Sequence, residues 1–186
     1  MSPTLCAIRG AAMLKANLAL GVILGTLSFM PAAFALDCPA EGLVQNAADA
    51  FARASRMHSA NAFASSAARF TDMRALALFA LGPYRSQLPA GMEGKYVSLA
   101  KIFMGRFMAQ NAGRIGNSTL TIVACSPQYV SARMGGNSIS FKLAGNRIAD
   151  VTVSGLSIAH AMREKFVGII SDNGGDVKAL IRYLEN

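Results

Sequence analysis

Asp150-Val-Thr-Val-Ser-Gly-Leu-Ser157, running on through Arg163 to Phe166, is the stretch on which the reading of the fold turns. Ala149, Val151 and Val153 alternate with Asp150, Thr152 and Ser154. A period of two predicts a strand with two unlike faces. Gly155 breaks the pattern. Beyond it Ile158, Met162, Phe166, Ile169 and Ile170 recur at helical spacing, which predicts a helix with one apolar stripe. Ser157 is placed to cap that helix, because its hydroxyl can accept from a backbone N–H two or three residues on. A strand that delivers an apolar-faced helix back over its own sheet is a general α+β device, and alone it identifies no function.

Working upstream, the runs Leu120–Cys125, Tyr129–Met134, Ser138–Leu143 and Arg147–Ser154 read as four short strands. Ser126-Pro127, Gly135-Gly136-Asn137 and Gly145-Asn146 separate them as turn signals. Ile139, Phe141 and Leu143 against Ser138, Ser140 and Lys142 is the cleanest half-buried alternation. Strands joined in this way predict an antiparallel sheet with one wet face. Before Gly113–Asn117 the pattern is helical. Gly42–Met57 carries Val44, Ala47, Ala48 and Phe51 on one side, and Ser59 can cap Ala60–Phe70. Thr71–Leu81 is apolar nearly all round, so it must be buried on nearly all sides. Gly82-Pro83 ends it, and Pro89 opens a long helix to about Ala112 with Tyr96, Leu99, Ile102, Phe103, Met104, Phe107 and Met108. A last helix starts at Asp176 and buries Val177, Leu180, Ile181 and Leu184. The expected class is α+β, with N-terminal helices, a four-stranded antiparallel sheet and two C-terminal helices.

The first 35 residues differ in kind. Arg9 and Lys15 precede an uncharged stretch from Leu18 to Leu36 that closes on Pro31-Ala-Ala-Phe-Ala35. This describes a secretory signal over 1–35, cleaved after Ala35, with Met13 an alternative start. An uncleaved anchor is the rival reading, since the stretch is just long enough to span a bilayer. Residues 36–186 then form a single domain. Losing Arg9 and Lys15 lowers the formal charge from +8 to +6. A basic exported domain meets anionic lipid head groups more readily than nucleic acid, although the charge also serves plain solubility. The cations are scattered, so no nucleic-acid groove is indicated.

Cleavage removes Cys6 and leaves Cys38 and Cys125, an even pair that invites a disulfide in an oxidising compartment. No C-x-x-C occurs and the only histidines are His58 and His160, which argues against metal or redox chemistry. Asp150 is the only acid between Glu93 and Glu164 and has no carboxylate partner nearby in sequence. General acid–base work therefore lacks a pair, and no cofactor, metal or catalytic residue is expected. Asp150 is positioned to meet Arg163 where the helix folds back on its sheet, unless Arg163 faces water. A stock of 10 phenylalanines and 10 methionines with no tryptophan is flexible and apolar, fit for an irregular core or an adaptable binding surface.

Asp-Val-x-Val-x-Gly-x-Ser, then Arg163-x-x-Phe166, the pair Gly174-Gly175 and Leu180-Ile-x-x-Leu184 together resemble the C-terminal end of the MlaC family. These are periplasmic phospholipid-binding proteins, also described as toluene-tolerance or ABC-transporter auxiliary proteins. Phe70-Thr-Asp-Met-Arg-Ala-Leu-Ala-Leu-Phe-Ala-Leu-Gly82 with Tyr84-Arg85 looks like the family's central helix and its exit. The chain departs from the family where Ile148-Ala149 replaces an aromatic pair. The resemblance implies a sheet and helices enclosing an apolar pocket for acyl chains, and a soluble carrier that maintains outer-membrane asymmetry. It implies as partners phospholipid, an outer-membrane lipoprotein complex, and an inner-membrane ABC transporter with its substrate-binding ring. A related hopanoid-associated branch would bring a different lipid; a periplasmic interaction module and an unrecognised enzyme are the other classes. The lipid-binding walls are expected at Met73, Leu76, Phe103, Phe107, Val151, Val153, Met162 and Phe166, inward-facing positions between the Pro89–Ala112 helix and the sheet.

Overall fold

Among the described residues, eleven buried side chains from α1 (Glu41–Arg56), the end of α2 (Ala60–Phe70) and the sheet make one of two large apolar clusters. The structure, a computed structural model, describes residues 38–111 and 119–186. The signal segment 1–35, the alternative start at Met13 and the expected helix end at Ala112 lie outside those residues. Within them the chain is α+β, with helices on either side in sequence of an antiparallel meander ordered β1-β2-β3-β4-β5. The strands are β1 (Leu120–Cys125), β2 (Tyr129–Met134), β3 (Asn137–Ala144), β4 (Arg147–Val153) and β5 (Leu156–Ser157). α3 (Met73–Ala80), a 3-10 segment (Gly82–Gln87) and α4 (Glu93–Gln110) precede the sheet; α5 (Ile158–Asp172) and α6 (Val177–Glu185) follow it.

Five strands replace the expected four. Ser154 and Gly155 both take positive φ, 49° and 87°, and turn the chain tightly enough for Leu156-Ser157 to pair back on Val153 and Thr152. Two positive φ values in succession suit the right-handed twist of a hairpin, so Gly155 makes a turn before it releases a helix. Gly135-Gly136 does the same between β2 and β3. Two boundaries also move. Thr71 is extended and bridges Ile148, leaving Asp72 to cap α3 through Ala75 N–H at 3.0 Å. α4 begins at Glu93, because Pro89–Met92 is a separate turn closed by Met92 N–H to Pro89 C=O.

The sheet buries the face predicted for β3, with Ile139, Phe141 and Leu143 inside. Lys142 pairs with Asp150 and Leu143 with Ile148, so Ala149 is an extra residue in β4. Such a bulge shifts the alternation by one. It lets Ile148 share the core face with Val151 and Val153, which lie opposite Phe141 and Ile139. The other large cluster is helical, built on Ala77, Leu81, Tyr96, Ala100, Phe166, Ile170 and Leu180. α2 and α4 approach closely at Gly105, where an added Cβ would stand 2.3 Å from the Ala60 carbonyl oxygen. Cys38 and Cys125 are joined in a disulfide, Cα to Cα 5.5 Å, tying the start of α1 to the end of β1.

Candidate functional site

Among the described residues the sheet-side and helical clusters meet incompletely at one cavity, and a second lies among the helices. The inner one, about 120 Å³, lies against the buried sheet face. Its walls include Phe51 from α1, Leu76 from α3, Met104 and Met108 from α4, Ile139 and Phe141 from β3, and Val151 and Val153 from β4. The outer one, about 490 Å³, opens between α4, α5 and α6 and is lined by Phe103, Met104, Phe107, Ile158, Met162, Tyr183 and Leu184 among others. Met104 and Ile158 line both.

The single pocket expected from the sequence is therefore divided, and so are its residues. Leu76, Val151 and Val153 belong to the inner cavity, while Phe103, Phe107 and Met162 belong to the outer. Met73 and Phe166 line neither. Both are buried in the helical cluster, Phe166 completely, with its ring 5.2 Å from Phe103 and 6.4 Å from Tyr96. Phe107 is a correction of another kind. It stands at the mouth, 41% exposed. Residues 103 and 107 sit about 100° round the helix from 104 and 108. It is the latter pair that meets the sheet-side cavity.

Polar groups are few and sit at the edges. Arg106 and Lys165 flank the outer opening beside Phe107 and Tyr183, with the Lys165 ammonium 5.4 Å from the centre of the Tyr183 ring. No Asp or Glu side chain lines that cavity among the described residues. Asp150 borders the inner cavity but its carboxylate is committed elsewhere. Val151 N–H and Ala159 N–H donate to Oδ1 at 2.8 and 3.0 Å, and the Ser157 hydroxyl donates to Oδ2 at 2.6 Å. Ser157 Oγ in turn accepts from His160 N–H at 3.1 Å and lies 2.9 Å from His160 Nδ1. With the Ser157 proton on Asp150, the imidazole must be the donor in that contact. The cluster caps α5.

The expected Asp150–Arg163 pair does not form. Backbone and serine donors already satisfy the carboxylate, and the Arg163 guanidinium lies 5.1 Å over the Phe79 ring. His160 is exposed and meets Phe79 edge-on at 5.3 Å. Among the described residues no group of three His, Cys, Asp or Glu side chains could hold a metal, and no helix is long and apolar enough to cross a membrane.

The residues passed over by the sequence reading are chiefly Met104 and Ile158. Their signal was present: Ile158, Met162 and Phe166 are spaced four apart, as are Tyr96, Ala100, Met104 and Met108. No family model matches the sequence, and no curated protein matches it. In three dimensions the chain is similar to a phospholipid-binding protein from Ralstonia solanacearum, solved in complex with a phospholipid. The TM-score is 0.62 at 18% identity, over 78% of this chain and 94% of that one, and what the two share on these numbers is the fold.

Proposed function

We propose that residues 36–186 are a non-catalytic carrier of phospholipid of the MlaC type, exported to the periplasm by a cleaved signal over 1–35. The observation that carries this reading is the pair of abutting apolar cavities, in a fold similar to that of a phospholipid-binding protein. The outer cavity, about 490 Å³, falls within the range of roughly 300–1,000 Å³ usual for small-molecule sites. A lipid tail cannot cross water unshielded, because each exposed methylene costs about 0.8 kcal/mol. An apolar recess with cations only at its mouth suits tails inside and a head group outside. The partners that go with this role are an outer-membrane lipoprotein complex and an inner-membrane ABC transporter with its substrate-binding ring.

Native mass spectrometry of protein purified without detergent tests the reading. A bound lipid mass is expected, and Val151→Trp, which fills the inner cavity without adding charge, should reduce it while circular dichroism stays unchanged. Wild-type protein that carries no lipid and takes none from phospholipid vesicles would end the proposal.

A further inference from the structure

We infer that Met104 and Ile158 divide one acyl-chain channel into two chambers, and that Met104 sets the length of chain the protein takes. This rests on the carrier reading and deepens it. Among the described residues these two alone line both cavities, so the chambers abut where their side chains stand. The inner chamber, at about 120 Å³, is smaller than the roughly 300 Å³ at which small-molecule pockets begin. Its walls are apolar except for Thr71 and Asp150, and Asp150 is occupied by the α5 cap. It suits neither a whole ligand nor a polar one. It suits the far end of a chain whose near end lies in the outer chamber.

The two halves of the partition differ in mobility. Ile158 is β-branched and sits at the first position of α5, where its rotamer freedom is small. Met104 is unbranched and adapts its shape at little cost. The α4 backbone has no room to shift toward α2. The next residue, Gly105, is held against α2, with no space even for a Cβ beside the Ala60 carbonyl. Rotation of the Met104 side chain opens the partition with the backbone in place, and a chain pushing in from the outer chamber can drive it.

The test is a native mass-spectrometric competition between decanoyl and stearoyl lysophosphatidylcholine. Each methylene taken from water is worth roughly fourfold in affinity, so wild type should prefer the stearoyl chain by well over about tenfold. Met104→Phe, which stiffens and thickens the partition, should lower the stearoyl-to-decanoyl ratio by about tenfold or more. Met104→Ala should keep or raise it. Should Met104→Phe not fold, Val153→Phe decides, since it fills the inner chamber from the sheet wall without touching the partition and should lower the ratio likewise. An unchanged ratio in the folded blocking variants would show that the chain stops in the outer chamber, overturning the inference while sparing the carrier reading. Wild type that binds neither lipid would overturn both.

Discussion

Tyr96 lies fully buried on α4, and its hydroxyl donates to the Ala77 carbonyl at 2.6 Å. Ala77 is in the last turn of α3, where carbonyls lack helical partners, so a side chain from another helix does the work of a C-cap. Tyr96→Phe removes that donor and should lower stability by about 1–2 kcal/mol, read from urea denaturation. Burial also pushes the phenol well above its ordinary value. The folded state thus holds its proton more tightly than the unfolded chain does. The contribution is complete below about pH 10, and stability should fall as pH rises beyond it; the slope should flatten in Tyr96→Phe. In the sequence Tyr96 is one more member of an apolar stripe. The pattern records that it faces inward, but the acceptor is a backbone oxygen on another helix, which no periodicity encodes.

Elements were legible where one physical rule dominated. Helix existence, strand number up to the fourth and the buried face of β3 follow from periodicity alone. The misses arose where two rules competed. β5 exists because Ser154 accepts a positive φ, a conformation that a non-glycine residue seldom takes. The bulge at Ala149 is invisible to a reading by strict alternation, yet it turns Ile148 onto the face of Val151. Asp150 shows how much rests on the junction that follows. Two backbone N–H groups and one hydroxyl converge on its carboxylate, binding β4 to the start of α5. Asp150→Ala should therefore cost about 2–3 kcal/mol in denaturant unfolding, more than an ordinary cap, and Asp150→Asn less, because it retains an acceptor. Arg163→Ala should not reproduce the loss, since Arg163 packs on Phe79 instead.

At the scale of the molecule, a sheet-side core and a helical core meet at the inner cavity, which both line. Side chains that line about 120 Å³ of unfilled apolar space forgo packing contacts that a lipid chain would supply. Periodicity points to apolar residues on α3, α4, β4 and α5 as the walls of one pocket, where the described residues line two. Amphipathic spacing shows which side of a helix is greasy and says nothing about which of two neighbours that side meets. Six of the eight chosen residues reach a cavity; Met73 and Phe166 do not, because deep burial and pocket lining leave the same mark on a sequence. The Cys38–Cys125 bridge spans both architectures, joining residues 87 positions apart in sequence. Reduction, or Cys125→Ser, should lower stability by about 2–5 kcal/mol, seen as a lower thermal midpoint with reductant than without.

The same bridge has a topological consequence. Every helix from α1 to α4 lies inside the loop that it closes, and the end of β1 is sewn to the turn before α1. One proteolytic cut at any bond between Cys38 and Cys125 would thus release no fragment. The nicked protein should migrate as one species on a gel until thiol is added, and only then separate into two.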